Sequence, residues 1–358
     1  MNRYLLGSEN MFYDFVDSLN KKDKIGIVTH IDLDGVASGI ILQRILNSKN
    51  LNLDSIDFLD YNADSLNKIL DKKVDVLFFT DWNADNFPEE LDVLRKKYKV
   101  LVFDHHPPNN SVKDKSNIIK TESKYCSTHA LFDLAKKRNY FDTKNLEWLV
   151  CSTIIMDFTG ENEENLKFLK SFYPSIIKEN LWKSEPGIIG KKIGNAILYY
   201  KPHLKVIYEM LFNGKFEKLE KANKIISSEI NEWKIKFRNE AEYFPEKRLY
   251  YYYANPKHGV TSAVVSEISN QELKEDTLIF VSNNLDEGKN NFVKMSARNQ
   301  SGKIKVGELL KECTKNFEES SAGGHDMAAA GSFPKKYLDT FKNNLLLELG
   351  KKQNEKNR

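Results

Sequence analysis

Short apolar runs alternate with segments of helical periodicity along the first hundred residues, and this alternation constrains the fold of the chain more than any other feature. The runs rich in β-branched and aromatic residues predict strands over 25–30, 55–59, 74–80 and 99–104. The segments between them predict helices over 35–48, 64–70 and 88–98. Alternating strands and helices form βαβ units, which build a parallel sheet with helices on both faces. Ligands collect at the carboxyl ends of the strands of such a sheet. Polar residues directly after each strand are therefore the first candidates for a functional site.

A second domain of the same class is predicted further along the chain. From about 143 to 243 the pattern is helical, and 215–243 contains neither Gly nor Pro. This stretch predicts a long helix, either a connector between domains or a surface helix of one of them. Strand patterns return at 248–254, 276–282 and 291–298, with helices predicted at 260–269 and 306–313.

We therefore expect an α/β protein with a parallel-sheet N-terminal domain, a helical connector, and a smaller C-terminal α/β domain separated from the first by a cleft. The expected limits are 1–170 for the N-terminal domain, 171–245 for the connector, 246–348 for the C-terminal domain and 349–358 for a tail.

The composition excludes several classes of protein. With 41% hydrophobic and 29% charged residues in 358 positions, the chain resembles globular rather than disordered proteins. It has no run of eighteen apolar residues, and its N-terminus lacks the apolar core of a signal peptide. We therefore expect a cytoplasmic protein that does not bind membranes. Its three cysteines form no CxxC pair, which argues against a disulfide framework or a thiolate zinc site.

The charged residues are unevenly distributed, although the net charge of +3 identifies no partner. Nineteen of the 23 aspartates lie within residues 1–160. This imbalance fits either a chance distribution of surface charge or an acidic metal-binding domain that faces a basic substrate-binding domain.

Aspartate and histidine dominate the positions that follow the predicted strands. They are His30, Asp32 and Asp34 after the first strand, Asp81 after the third, Asp104, His105 and His106 after the fourth, and Asp157 after the apolar segment WLVCSTIIM. Each alone has an ordinary explanation as a turn or capping residue, so the metal hypothesis depends on the whole set. Oxygen and imidazole ligands without thiolates favour Mn²⁺ or Mg²⁺. Because several carboxylates at one sheet edge repel each other, a pair of divalent cations is the simplest arrangement.

Two such ions about 3.5–4 Å apart lower the pKa of a shared water and hold phosphate oxygens, which favours phosphodiester hydrolysis. His106 is not needed as a ligand in this scheme, so it is a candidate to donate a hydrogen bond or a proton to the phosphate or the leaving oxygen. Asp104 is a candidate to orient the adjacent histidines, or else an ordinary residue of a strand-end turn.

A glycine pair near the C-terminus is a weaker candidate for substrate binding. Gly323 and Gly324 allow backbone N–H groups to approach a phosphate or sugar, and His325 adds a directed donor. The same three residues also fit an ordinary loop.

The motifs as a set resemble a known family. HIDLDG, Asp81, DHH and Asp157 occur in the order typical of the DHH phosphoesterase superfamily, and the Ala322-Gly323-Gly324-His325 segment is similar to the GGGH element of its DHHA1 domain. Within the superfamily, the H-x-D-x-D-G motif and the short two-domain layout are most similar to archaeal RecJ-like single-strand exonucleases.

The resemblance implies roles for individual residues. One metal would be held by His30, Asp32 and Asp81, and the other by Asp34, Asp81, His105 and Asp157, with Asp81 bridging the two. Arg298 resembles the family's phosphate-binding arginine, whose planar guanidinium suits bidentate recognition.

Two departures from the family pattern limit what the resemblance implies. Bacterial RecJ has Asp where this chain has His30, and no segment here is long enough for that protein's OB domain. Ala322 replaces the first Gly of GGGH and leaves the following two glycines in place.

The sequence thus favours an exonuclease for single-stranded DNA or RNA that uses two divalent cations, Mn²⁺ first and Mg²⁺ second. The main alternative is a phosphoesterase for short oligonucleotides, cyclic dinucleotides or nucleotide bisphosphates. A further alternative is a replication-complex subunit that docks onto a replisome or a paralogous subunit.

Overall fold

The apolar runs of the first half of the chain form a mostly parallel sheet. The computed structural model describes residues 3–61, 63–285, 290–324 and 326–356, and divides the chain into units 1–223 and 224–358. In the first unit the strands lie in the order β1-β6-β5-β4-β2-β3, with β1 antiparallel to β6 and the other neighbours parallel. They are β1 (Tyr4–Leu6), β2 (Ile25–Thr29), β3 (Leu53–Phe58), β4 (Val76–Thr80), β5 (Lys99–Asp104) and β6 (Ile118–Thr121).

Helices cover both faces of this sheet. They are α1 (Glu9–Asp17), α2 (Leu33–Ser48), α3 (Ala63–Asn67), α4 (Pro88–Lys97), α5 (Ser127–Lys137), α6 (Glu147–Met156), α7 (Glu163–Phe172), α8 (Glu185–Tyr199) and α9 (Leu204–Phe212). Alternate strand residues enter different cores, as side chains do on opposite faces of a sheet. Ile27 and Phe78 pack in the core that contains α1, α2, α5 and α6, whereas Val28 and Phe79 pack in the core that contains α3 and α4.

The second unit contains a mixed sheet in the order β11-β12-β10-β9-β8-β7, in which β8 and β9 pair in parallel and the other neighbours pair antiparallel. The division between the two units falls within helix α10 (Glu217–Glu240). The remaining elements are β7 (Glu242–Phe244), β8 (Leu249–Tyr253), α11 (Thr261–Gln271), β9 (Thr277–Asn283), β10 (Phe292–Arg298), α12 (Val306–Thr314), β11 (Ser321–Gly324), β12 (Ala328–Pro334) and α13 (Leu338–Lys356).

The predicted fold class is confirmed: a parallel N-terminal sheet with helices precedes a smaller α/β unit. Two details differ from the sequence-based expectation. Residues 349–356, expected to be a tail, continue helix α13. Helices α8 and α9, expected in a separate connector, belong to the first unit. Among the described residues, no helix combines the length and apolar character needed to cross a membrane.

Candidate metal centre

The first motif joins the end of β2 to the start of α2. Asp32 is the N-cap of α2, and its carboxylate accepts a hydrogen bond from the Gly35 backbone N–H at 2.9 Å. His30 Nδ1 lies 2.9 Å from Asp32 Oδ2. A Cβ at Gly35 would lie 2.2 Å from the carbonyl oxygen of His30, so only glycine fits this tight connection. The turn therefore presents His30, Asp32 and Asp34 within one short segment.

Asp81 follows β4 in an unusual backbone conformation. Its φ is +51°, in the left-handed region that residues other than glycine rarely adopt. Its backbone N–H donates to the carbonyl of Phe103 at 3.0 Å, which holds the residue beside β5. The side chain is buried, yet neither carboxylate oxygen has a hydrogen-bond partner. Buried polar atoms are nearly always paired, and strained backbone clusters at functional sites, so Asp81 is a strong ligand candidate.

His105, directly after β5, lies at the centre of the acidic cluster. Its Nε2 is 3.4 Å from Asp81 Oδ1 and 3.9 Å from both Asp34 Oδ2 and Asp157 Oδ2. Asp157 comes from the C-cap of helix α6 rather than from a strand end, and its Oδ2 also has no hydrogen-bond partner. The structure thus brings together four side chains that are far apart in sequence.

His30 and Asp32 adjoin the same cluster through Asp81. His30 Nδ1 lies 4.0 Å from Asp81 Oδ2, and ligand atoms of His30, Asp32 and Asp81 all lie within 4.8 Å of one another. Among the described residues, similar groupings are Asp34 with Cys126 and Asp157, and Asp81 with Asp104, His105 and His106. Asp81 therefore belongs to two groupings, as a bridging ligand would.

The electrostatics of the cluster favour added positive charge. Burial, together with the charges of Asp34 and Asp32, raises the pKa of Asp81 well above its ordinary value. Burial also raises the pKa of Asp157 strongly, although His105 opposes the effect. For His105, burial alone lowers the pKa, but the carboxylates of Asp157 and Asp34 outweigh it and raise the pKa. Hard oxygen donors with unpartnered lone pairs beside imidazole fit Mn²⁺ or Mg²⁺.

Asp34 is held in place by the start of helix α5. Its two carboxylate oxygens accept hydrogen bonds from the backbone N–H groups of Ser127 and Thr128, each at 2.8 Å. The Thr128 hydroxyl donates to the backbone carbonyl of Asp34 at 3.1 Å. No sequence signal linked Ser127 or Thr128 to Asp34.

His106 points one ring nitrogen at Asp104, because its Nδ1 lies 2.8 Å from Asp104 Oδ1. The other oxygen of Asp104 accepts from Lys120 at 2.6 Å, and Lys120 Nζ also lies 2.5 Å from Asp85 and donates to Asn83 at 2.7 Å. Burial alone raises the pKa of Asp104, but the Lys120 and His106 charges outweigh it and hold that pKa well below its ordinary value. Sequence reasoning missed Lys120, whose only signal is a lysine within the apolar run IIKT.

Tyr61 is a second residue that sequence reasoning missed. Its ring stacks on His30 with centroids 4.0 Å apart, and its hydroxyl donates to the backbone carbonyl of Asp81 at 3.0 Å. The ring also lies edge-on to His106, with centroids 5.2 Å apart. Tyr61 therefore packs against two of the candidate side chains, and no sequence pattern pointed to it.

The candidate substrate residues of the second unit lie at the ends of β10 and β11. Arg298 ends β10, and its guanidinium donates to the hydroxyls of Ser266 at 2.8 Å and Ser262 at 2.9 Å. Burial lowers its pKa to about 10. Gly323 and Gly324 end β11, and Gly324 has φ +134°, a conformation closed to other residues. His325 lies outside the described residues.

Three solved structures share this fold along nearly the whole chain. RecJ from Thermus thermophilus in complex with Mn²⁺ is 17% identical with a TM-score of 0.73, covering 96% of this chain and 54% of that one. This chain thus spans about half the length of that protein. An exonuclease RecJ bound to manganese is 15% identical with a TM-score of 0.70, covering 96% and 94% of the two chains. CDC45 from Entamoeba histolytica is 12% identical with a TM-score of 0.57, covering 94% and 97%.

These low identities establish likeness of fold alone, and comparison with curated proteins finds no match. The family comparison is more specific. Residues 24–172 match the DHH family, N-terminal domain, and residues 246–350 match the DHHA1 domain. Because the two matches follow each other in the order of the sequence motifs, the chain belongs to the DHH/DHHA1 phosphoesterase superfamily.

Proposed function

We propose that this protein is a metal-dependent exonuclease that hydrolyses phosphodiester bonds of single-stranded DNA or RNA. The observation that carries the proposal is the convergence of Asp34, Asp81, His105 and Asp157 around unpartnered buried carboxylate oxygens. The likeness of the fold to two RecJ structures that contain manganese supports the same conclusion.

The proposed ligands follow the two groupings around Asp81. His30, Asp32 and Asp81 would hold one divalent cation, and Asp34, Asp81, His105 and Asp157 the other. When bound, the cations would lower the pKa of a water and neutralise the charge of the scissile phosphate.

His106 would contact the substrate rather than a metal. With Nδ1 engaged by Asp104, its Nε2 is the ring nitrogen left for a hydrogen bond to a phosphate oxygen or the leaving oxygen. Asp104 orients the ring, and Lys120 holds Asp104. In the second unit, Arg298, Gly323, Gly324 and His325 would bind phosphate or sugar groups of the substrate.

The test is a degradation time course on single strands of DNA and RNA labelled at either end. We expect Mn²⁺- or Mg²⁺-dependent release of nucleotides from one end, and loss of that activity in Asp81→Ala. Asp114→Asn is the matched control, because its carboxylate is exposed, accepts a hydrogen bond from Ser116 of its own turn and otherwise lies 3.7 Å from Arg95, and neither of these residues is a proposed ligand. Full activity of Asp81→Ala would overturn the site assignment.

Substrate length separates this proposal from a phosphoesterase for very short oligonucleotides. An exonuclease for single strands should degrade a two-residue and a twenty-residue strand at comparable rates per end. A steep loss of rate with length would favour the short-substrate enzyme instead.

A further inference from the structure

The residue directly after the C-cap of helix α6 has a backbone conformation that its side chain disfavours. Asp157 is the C-cap, and Phe158 follows in the left-handed conformation with φ +57°. The Phe158 N–H donates to the Ile155 carbonyl at 3.2 Å, and the Thr159 N–H donates to the Ile154 carbonyl at 3.1 Å. Helices that end in this way usually place glycine in the left-handed position, because a Cβ is disfavoured there. A phenylalanine at this position therefore strains the backbone.

The ring of Phe158 gains little from burial in return. Its relative exposure is 67%, and its described aromatic neighbour is Trp182, with centroids 5.1 Å apart and planes at 54°. Trp182 lies in the 3-10 helix Lys178–Lys183 and is itself 43% exposed. Two large aromatic faces thus remain open to solvent at a strained position, so the stability of the fold does not explain them.

One member of the aromatic pair, Phe158, adjoins the candidate metal centre along the chain. Phe158 is bonded directly to Asp157, whose Oδ2 lies 3.9 Å from His105 Nε2. Consecutive Cα atoms lie about 3.8 Å apart, so the backbone of Phe158 begins one residue away from a proposed metal ligand.

We propose that Phe158 and Trp182 form a stacking platform for the bases of a single strand whose phosphate is held at the metal centre. This inference rests on the proposed function and names the part of the substrate that the pair recognises. Every base has a π-face, so stacking on aromatic side chains tolerates any sequence.

One lysine beside the platform is engaged by a neighbouring carboxylate. Lys178, in the same 3-10 helix as Trp182, pairs with Glu161 at 3.0 Å, so its positive charge is matched locally by a carboxylate. An exposed aromatic pair suits the uncharged, planar part of a nucleotide.

The test compares binding, in Mn²⁺, of a fluorescent twenty-residue single strand with a hydrolysis-resistant phosphorothioate backbone, so that the metal centre is loaded and the strand stays intact. We expect Phe158→Leu and Trp182→Ala each to raise Kd by about 5-fold to 150-fold, the range that corresponds to loss of one stacked base. Phe158→Tyr keeps a ring and should retain binding. Phe158→Gly should raise Kd as well and also raise the thermal midpoint, because glycine relieves the backbone strain.

Two controls isolate the role of the bases. Phe216→Ala removes another exposed ring, which pairs with Trp148 at 5.4 Å, and should leave Kd unchanged. A strand with the same phosphates but abasic sugars should bind wild type and Phe158→Leu equally, and both proteins should hydrolyse it at the same rate in Mn²⁺.

The outcomes distinguish the two proposals. If wild type binds and cleaves single strands but Phe158→Leu and Trp182→Ala bind them as tightly, the platform is wrong and the proposed function stands. Equal loss of binding to abasic strands would assign the pair to backbone contacts and also overturn the platform. A wild-type protein that neither binds nor cleaves any single strand would overturn the proposed function itself.

Discussion

Asp81 combines burial, an unfavourable backbone conformation and two unpartnered carboxylate oxygens. In the metal-free protein this carboxylate destabilises the fold, because burial and the charges of Asp34 and Asp32 oppose its ionisation. A bound divalent cation reverses the balance by supplying both the charge and the missing partner. The same residue therefore weakens the apo fold and strengthens the metal-bound one.

The variant Asp81→Asn separates these two effects. We expect its metal-free thermal midpoint at pH 8 to equal or exceed that of wild type, since the uncharged amide avoids the repulsion. At a hundredfold excess over its Kd, Mn²⁺ should raise the free energy of unfolding of wild type by about 3 kcal/mol, and its thermal midpoint with it. The midpoint of the variant should stay unchanged. An equal response of both proteins to Mn²⁺ would contradict the bridging role.

His129 gives the fold a pH dependence that is independent of metal. Burial lowers its pKa from 6.5 to about 4, the charge of Asp133 opposes this shift, and the charge of Arg3 adds to it. A histidine whose pKa is lower in the folded state contributes stability above the unfolded-state pKa of 6.5. That contribution is lost as the pH falls from 6.5 through 4, and it amounts to at most about 3 kcal/mol.

Replacing His129 with glutamine removes this titration. Between pH 7 and pH 4.5 we expect wild type to lose about 2–3 kcal/mol more unfolding free energy than His129→Gln, as measured by urea denaturation. Parallel pH profiles for the two proteins would show that His129 is not the group responsible.

At the scale of elements, strand β6 supplies the counter-charge for the end of β5. Lys120 pairs in register with Asp104, is fully buried, and forms ion pairs with both Asp104 and Asp85. Removing one partner of a buried ion pair leaves an uncompensated charge, which costs about 3–5 kcal/mol. The orientation of His106 therefore depends on a lysine in the neighbouring strand.

Accordingly, Lys120→Met should lower unfolding free energy by about 3–5 kcal/mol and reduce kcat at temperatures where it remains folded. Lys72→Met is the matched control, because Lys72, in the loop before β4, forms a partly exposed pair with Asp57 of β3 at 2.6 Å. We expect that change to cost less than about 1 kcal/mol and to leave kcat intact. A similar cost for both lysines would show that burial of the Lys120 network is energetically unimportant.

Strands made of continuously apolar residues could be predicted from the sequence. Strands that depend on contacts with distant parts of the chain could not. Strands β2, β4 and β5 are buried on both faces, so their hydrophobic runs are plain in the sequence. Strand β6 was missed because Lys120 interrupts its run, and β12 was missed because AAAGSFP is rich in small residues that favour strands weakly.

The same distinction holds for the candidate site. The rule that ligands gather at the carboxyl ends of parallel strands anticipated that His30, Asp81 and His105 would meet. It does not extend to Asp157, which reaches the cluster from the end of helix α6. Tyr61 and Cys126 were not expected near the cluster, because only packing between distant segments brings them there.

At the scale of the whole molecule, each unit has its own sheet and its own core. Phe12 is buried in the first unit, and Phe333 is buried in the second. All the proposed metal ligands belong to the first unit. Proteins with separate cores commonly depart from two-state unfolding.

We therefore expect calorimetry to resolve two unfolding transitions. Phe12→Leu should lower the midpoint of the first unit's transition, and Phe333→Leu should lower that of the second unit's transition. Each change should reduce the unfolding free energy of its unit by about 1–2 kcal/mol. Mn²⁺ should raise only the transition that Phe12→Leu lowers. A single transition that responds to all three changes would mean that the units unfold together.

The backbone N–H groups of Ser127 and Thr128 keep Asp34 in position before any cation arrives. Because Asp34 is already in position, it needs no slow rearrangement to accept an ion. The rate of metal uptake at this ligand then depends on how often an ion arrives and how readily it loses its hydration water. Nitrogen and oxygen donors bind late transition metals more tightly than Mn²⁺ or Mg²⁺, so affinity does not select the ion that supports turnover. Protein isolated from a medium that contains equal amounts of Mn²⁺ and Zn²⁺ should accordingly carry more zinc than manganese, as elemental analysis would measure.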